Sequence, residues 1–123
     1  MSPRSEELLN AARERLRDAE QLVADRRFTG TVSLAYYASL YAARAALSEA
    51  NANARTHRGT WDLFRTTFVD SGRFDSALLV EVRRSQGLRE EADYAALQID
   101  AQTAASEVEL ARRFVAAVER LLG

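Results

Sequence analysis

Arg89 and Asp93 stand four residues apart, with Tyr94 next in the chain. On a helix that spacing puts a guanidinium and a carboxylate on one face, close enough to pair. Exposed, such a pair is a surface ion pair worth a few tenths of a kcal/mol, about 0.3–0.5. Turned into a cleft, it is an arginine held ready for phosphate, with Asp93 as its orienter and Tyr94 alongside. Arg89, Asp93 and Tyr94 are therefore the candidates for catalytic chemistry. A second guanidinium, Arg44, is the sole charge between Phe28 and Ser48. Burying it unpaired would be costly, so it must meet a carboxylate, a carbonyl or a cleft. Tyr37 and Tyr41 precede it by about two turns and one turn on the same side of a helix. The only histidine, His57, lies between Arg55 and Arg58. In a loop it reads as a capping or hydrogen-bonding group, and the functional alternative is a small phosphate-attracting patch beside a helix N-terminus. Candidate phosphate- or nucleotide-binding residues are thus Arg44, Arg89, Tyr37, Tyr41, Arg55 and His57.

Composition bounds these readings. The chain has no cysteine and one histidine, which excludes disulfides, thiolate zinc sites and cysteine nucleophiles and argues against a histidine metal site. Glu90, Glu91 and Asp93 point to different sides of a helix, so no carboxylate metal site is expected either, and no cofactor. All 17 positive charges are arginine, yet the net charge is -1, so the chain as a whole does not attract DNA. The Phe28–Ser48 stretch is long enough to span a bilayer, but its Ala, Ser, Thr and Tyr gain little from lipid. A buried helix, no membrane association and a cytoplasmic location are expected.

The elements that must hold these residues are helices. Leu8, Ala12, Leu16, Ala19 and Val23 recur at steps of three and four, predicting a first helix over Ser5–Asp25. A break at Arg26-Arg27 and Thr29-Gly30 then leads to a second helix, Thr31–Ala50, apolar almost all round and so the most buried. The Asn-rich NANARTHRGT reads as a loop. A third helix, Thr60–Asp70, carries Trp61, Phe64 and Phe68 on one face, and Gly72 is placed to stop it. A fourth runs from Asp75 or Ser76 to Tyr94, where Gly87 suggests close packing or a kink. The fifth starts at Asp100, and Ala101, Ala104, Val108, Ala111, Val115, Val118 and Leu122 form its seam. With 123 residues and 47% hydrophobic content, the expected product is one all-α domain over residues 1–123, an up-and-down antiparallel bundle of about five helices.

The order of these features resembles a known family. Ala35-Tyr36-Tyr37-Ala38 and Ala42-Ala43-Arg44-Ala45-Ala46-Leu47 in the second helix are followed by His57-Arg58-Gly59, then by Arg89-Glu90-Glu91-Ala92-Asp93-Tyr94 at the end of the fourth. This succession, over roughly residues 5 to 120, resembles the small stand-alone prokaryotic branch of the HEPN domains. The resemblance implies a helical bundle that dimerises through helix faces, here those of helices two and four. It also implies a minimal nucleotidyltransferase as partner in a toxin–antitoxin pair, and a nucleotide or RNA as ligand. Many HEPN toxins are metal-independent ribonucleases marked by an arginine, four to six residues, then a histidine. This chain departs from that pattern: no histidine follows Arg89, and counting back from His57 lands on Ala50, Asn51 or Ala52. A dimeric interaction or nucleotide-binding module is therefore the leading expectation, and a divergent ribonuclease the alternative. Tyr94, beside the signature arginine, is a suitable acceptor for a nucleotidyl group from the partner.

Overall fold

The computed structural model describes all 123 residues as an all-α bundle of five helices. α1, Pro3–Ala24, is capped by the Ser2 hydroxyl, which accepts from the Ser5 amide at 3.1 Å, with Pro3 in its first turn. α2 spans Phe28–Glu49, α3 His57–Phe64, α4 Ser76–Tyr94 and α5 Ala101–Leu122. Asp75 caps α4 through the Ala77 amide, and Asp100 caps α5 through the Thr103 amide at 2.7 Å. The last two helices thus begin where the sequence placed them.

Three helices end alike, with one residue in the left-handed region and the next amide reaching back to a carbonyl five residues earlier. Arg26, Asn51 and Gly72 take the positive φ, and the closing bonds run from Arg27 to Leu22, Ala52 to Leu47 and Arg73 to Phe68. The first of these corrects the sequence expectation: the break falls at Arg26-Arg27 alone, and Thr29-Gly30 lie inside α2. Gly30 is there for contact rather than for a turn. A Cβ at Gly30 would sit 3.0 Å from Leu22 Cδ1, so its absence lets α1 and α2 close together. His57 likewise belongs to a helix, not a loop: Thr56 caps α3 by accepting from the Gly59 amide at 2.9 Å, and His57 is the first helical residue. Past Phe64 the chain widens into a π-helical turn, Arg65–Val69. Gly87 has open space around it, so close packing does not explain it, and α4 runs through it without a break.

α2 is the central element, packed against all four others. Ala38, Ala42, Ala43, Ala45 and Ala46 are completely buried, and their small side chains allow that crowding. Trp61, Phe64 and Phe68 are core, as their spacing predicts, and Phe114 of α5 joins them, its ring 5.8 Å from Trp61 and 5.6 Å from Phe64. Phe114 lies one residue beside the expected α5 seam, which begins at Ala104 because Ala101 is exposed. No helix is long and apolar enough to cross a membrane.

Candidate functional site

Arg89 lies on the last turns of α4 against the middle of α2. Its residue is only 7% exposed, and its guanidinium carbon sits 5.5 Å from the ring centre of Tyr36 and 5.5 Å from that of Tyr37. Two aromatic faces thus attract the cation, each worth about 0.5–2 kcal/mol depending on how dry the contact is. Nη1 donates to Asp93 Oδ2 at 3.1 Å, the pairing that the i, i+4 spacing predicts. Nη2 comes no closer than 3.8 Å to Glu90. Nε is sealed from solvent and has no hydrogen-bond partner. A buried donor left unpaired costs about 1–3 kcal/mol, so the bundle holds this arginine at some expense. The surface-pair reading of Arg89 is thereby overturned.

His57 also reaches the tyrosine pair. Its Nδ1 lies 3.1 Å from the Tyr36 hydroxyl, and its ring stands perpendicular to that of Tyr37, with centres 5.8 Å apart. Trp61 Nε1 donates to the same hydroxyl at 3.2 Å. An indole N–H can only donate, so the Tyr36 oxygen accepts from Trp61, and the direction of its bond with His57 Nδ1 follows the imidazole tautomer. When Tyr36 is the donor, the neutral imidazole carries its hydrogen on Nε2. Burial lowers the His57 pKa below its ordinary value, the nearby Arg44 and Arg89 charges lower it further, and Glu90 only partly opposes them. Burial likewise raises the Tyr36 phenol above its usual 10.0, against the lowering influence of Trp61 and the arginines.

Arg44 is half-buried and meets no carboxylate; its one hydrogen bond runs from Nε to Thr60 Oγ1 at 3.5 Å. It lines a groove of about 320 Å³ between the start of α1 and the end of α2. The fold therefore gathers Tyr37, His57, Arg89 and Asp93 around Tyr36, with Arg44 beside them. Of the other candidates, Tyr41 and Arg55 lie apart. Tyr41 turns toward α1, where Arg15 covers its ring at 4.5 Å. Arg55 is exposed; Tyr94, at the end of α4, is 81% exposed but stays alongside Arg89, whose charged form its side chain favours together with Asp93. Sequence reasoning passed over Tyr36 as a site residue. Its signal was a phenol in the most apolar helix, whose hydroxyl had to find a partner.

Chemically the cluster offers donors: two guanidinium groups and an imidazole N–H, flanked by aromatic faces. That set suits a phosphate. Asp93 is held by Arg89 and Nδ1 is engaged by Tyr36, so a free base is present only in the tautomer that carries its hydrogen on Nδ1 and leaves Nε2 open.

Comparison with known proteins agrees with the sequence resemblance. The family model for the HEPN domain matches residues 5–121. A UPF0332 protein of Gloeobacter violaceus is 32% identical over 94 residues, covering 76% of this chain and 75% of that protein. A Methanocaldococcus jannaschii protein named "Putative toxin MJ0605" is 30% identical over 115 residues, covering 94% of this chain and 86% of its own length.

Proposed function

The chain belongs to the HEPN family, and from that premise we propose that it is the dimeric, toxin-type half of a cytoplasmic pair with a minimal nucleotidyltransferase, holding a nucleotide or RNA phosphate at the Arg89 cluster. One observation carries the reading: a guanidinium is buried between two tyrosine rings with one donor unsatisfied. Stability alone would favour an apolar side chain of similar volume there, because removing a buried charge entirely is often neutral or stabilising. An arginine kept at such a position points to a use for its charge.

The ribonuclease reading has one observation in its favour. His57 and Arg89, which fail the family's spacing along the chain, both contact the rings of Tyr36 and Tyr37. Metal-independent RNA cleavage needs a base for the 2′-hydroxyl and an acid for the leaving oxygen. With Tyr36 donating to Nδ1, His57 offers an N–H donor at Nε2 and no base, and in that tautomer binding is favoured over cleavage.

Expression of the protein alone, beside Arg89→Ala, with growth and cellular RNA integrity as readouts, separates the two. Intact RNA in both cultures is expected. RNA fragmentation with wild type that disappears in Arg89→Ala would establish the ribonuclease instead. The nucleotidyltransferase pairing is tested by co-expression with such a protein encoded beside this gene. A stable complex containing two copies of this chain is expected, and separate elution of the two proteins contradicts it.

A further inference from the structure

The start of α4 and the end of α5 form a groove that the Arg89 cluster does not use. Two hollows there, of about 500 and 360 Å³, share Asp75, Leu78 and Arg120 and run together. Phe74, Leu78, Ala117 and Leu121 make the apolar floor. Phe74 is half-buried, its ring 4.9 Å from that of Phe64 and 5.4 Å from that of Phe114, so the core holds the floor in shape. Leu78 and Arg89 stand roughly 16 Å apart along α4, which separates this groove from the phosphate cluster.

The rim is basic. Arg73 and Arg120 are exposed, and neither meets a carboxylate within ion-pair distance. Arg73 lies instead over the Phe68 ring, 5.2 Å from its centre. The acids lining the groove are already engaged: Glu81 with Arg113 at 3.0 Å, and Asp75 with the Ala77 amide at the head of α4. Two uncompensated guanidinium groups thus edge an apolar floor, the anatomy of a protein interface. An all-helical chain offers no strand edge, so an extended peptide would find no backbone partners here. A helix laid against two helices needs only side-chain contacts.

We propose that this groove docks an acidic amphipathic helix of a partner protein, with aliphatic side chains on the floor and carboxylates on Arg73 and Arg120. Guanidinium groups take carboxylates in a forked geometry. The complementary charge speeds encounter and rejects basic partners. The inference is independent of the phosphate reading of Arg89.

The probe is a labelled, capped synthetic helix of about 15 residues, with leucines at i, i+4 and i+7 flanked by glutamates. A second peptide carries lysine in place of each glutamate. Both are titrated with the whole protein, and binding is read by fluorescence anisotropy. Three variants are compared with wild type: the double variant Arg73→Glu/Arg120→Glu, Ala117→Met to fill the floor, and Arg17→Glu, an exposed position on α1 that does not line the groove. Circular dichroism melting confirms that each remains folded. The glutamate peptide is expected to bind wild type, more weakly as salt rises. The lysine peptide and the double variant should each cost about tenfold or more in affinity. Ala117→Met should also weaken binding, and Arg17→Glu should leave it unchanged. Equal binding of the two peptides, an affinity unmoved by the double variant, or no binding by wild type would overturn the proposal. Light scattering adds one more arm: Ala117→Met should leave the size of the protein unchanged. A dimer that falls apart in Ala117→Met would assign the groove to a second copy of this chain and overturn the proposal as well.

Discussion

The Tyr36 hydroxyl stands between Trp61 Nε1 at 3.2 Å and His57 Nδ1 at 3.1 Å, so a single phenol links the indole to the only histidine. Trp61 can only donate to that oxygen, which leaves the phenol proton available for Nδ1. With the phenol proton on that bond, the neutral His57 is an Nε2–H donor. Nitrogen-detected NMR should find Nδ1 unprotonated at neutral pH. Tyr36→Phe removes the relay and should let the two tautomers mix. An Nδ1–H signal in the wild type would contradict this account.

The same residue sets a pH dependence. The folded-state pKa of His57 lies below the ordinary 6.5, so the unfolded chain binds its proton more readily. The neutral histidine's contribution to stability is complete above about 6.5 and is lost as pH falls through the lowered value. Thermal melting between pH 7 and 5 should therefore show a smaller loss of stability in His57→Gln than in wild type. Equal losses would sink the idea.

Glu107 titrates with the opposite sign. It is half-buried between α4 and α5, accepts from Ser85 at 2.7 Å, and has no cationic partner. Burial raises its pKa above the ordinary 4.5, outweighing the Ser85 bond. The folded state therefore favours the protonated acid, and this contribution is lost as pH rises through the raised value. Glu107→Gln keeps an acceptor for Ser85 without the charge. It should melt higher than wild type at pH 7 and lose that advantage near pH 4; an unchanged melting temperature at pH 7 would argue against it.

Replacing Arg89 by methionine separates stability from use. Volume is kept, the unsatisfied Nε disappears, and the two tyrosine rings keep an apolar neighbour. Stability within about 1 kcal/mol of wild type is expected, as read by denaturant melts. By contrast, Trp61→Ala opens the centre of the core and removes the donor to Tyr36, and should cost about 3–5 kcal/mol. Severe destabilisation by Arg89→Met would make that arginine structural.

Much of the fold was legible because it rests on local signals. Asp75 and Asp100 announce the last two helices, the apolar spacing of Trp61, Phe64 and Phe68 announces the core, and the Arg89–Asp93 spacing announces their pairing. Errors arose where a residue's role is tertiary. Gly30 reads as a breaker along the chain, but its reason is Leu22 on the neighbouring helix. His57 sits in an Asn-rich, loop-like stretch, although Thr56 was available as a cap. The site itself was half legible: Arg44, Arg89, His57 and Tyr37 could be singled out as types needing partners. Their meeting around Tyr36 depends on how α2, α3 and α4 pack, which no spacing within one helix encodes. Tyr41, on the same helix as Tyr37, faces α1 for the same reason.

The central claim is that the Arg89 cluster holds a phosphate without cutting RNA, and one measurement tests it most directly. Purified wild type and Arg89→Met are each incubated with a short labelled single-stranded RNA without added metal, and both retention and RNA length are recorded. The account predicts salt-sensitive retention of uncut RNA by wild type, weakened about tenfold or more in Arg89→Met. Equal retention by the two proteins, or shortened RNA with wild type alone, would contradict it.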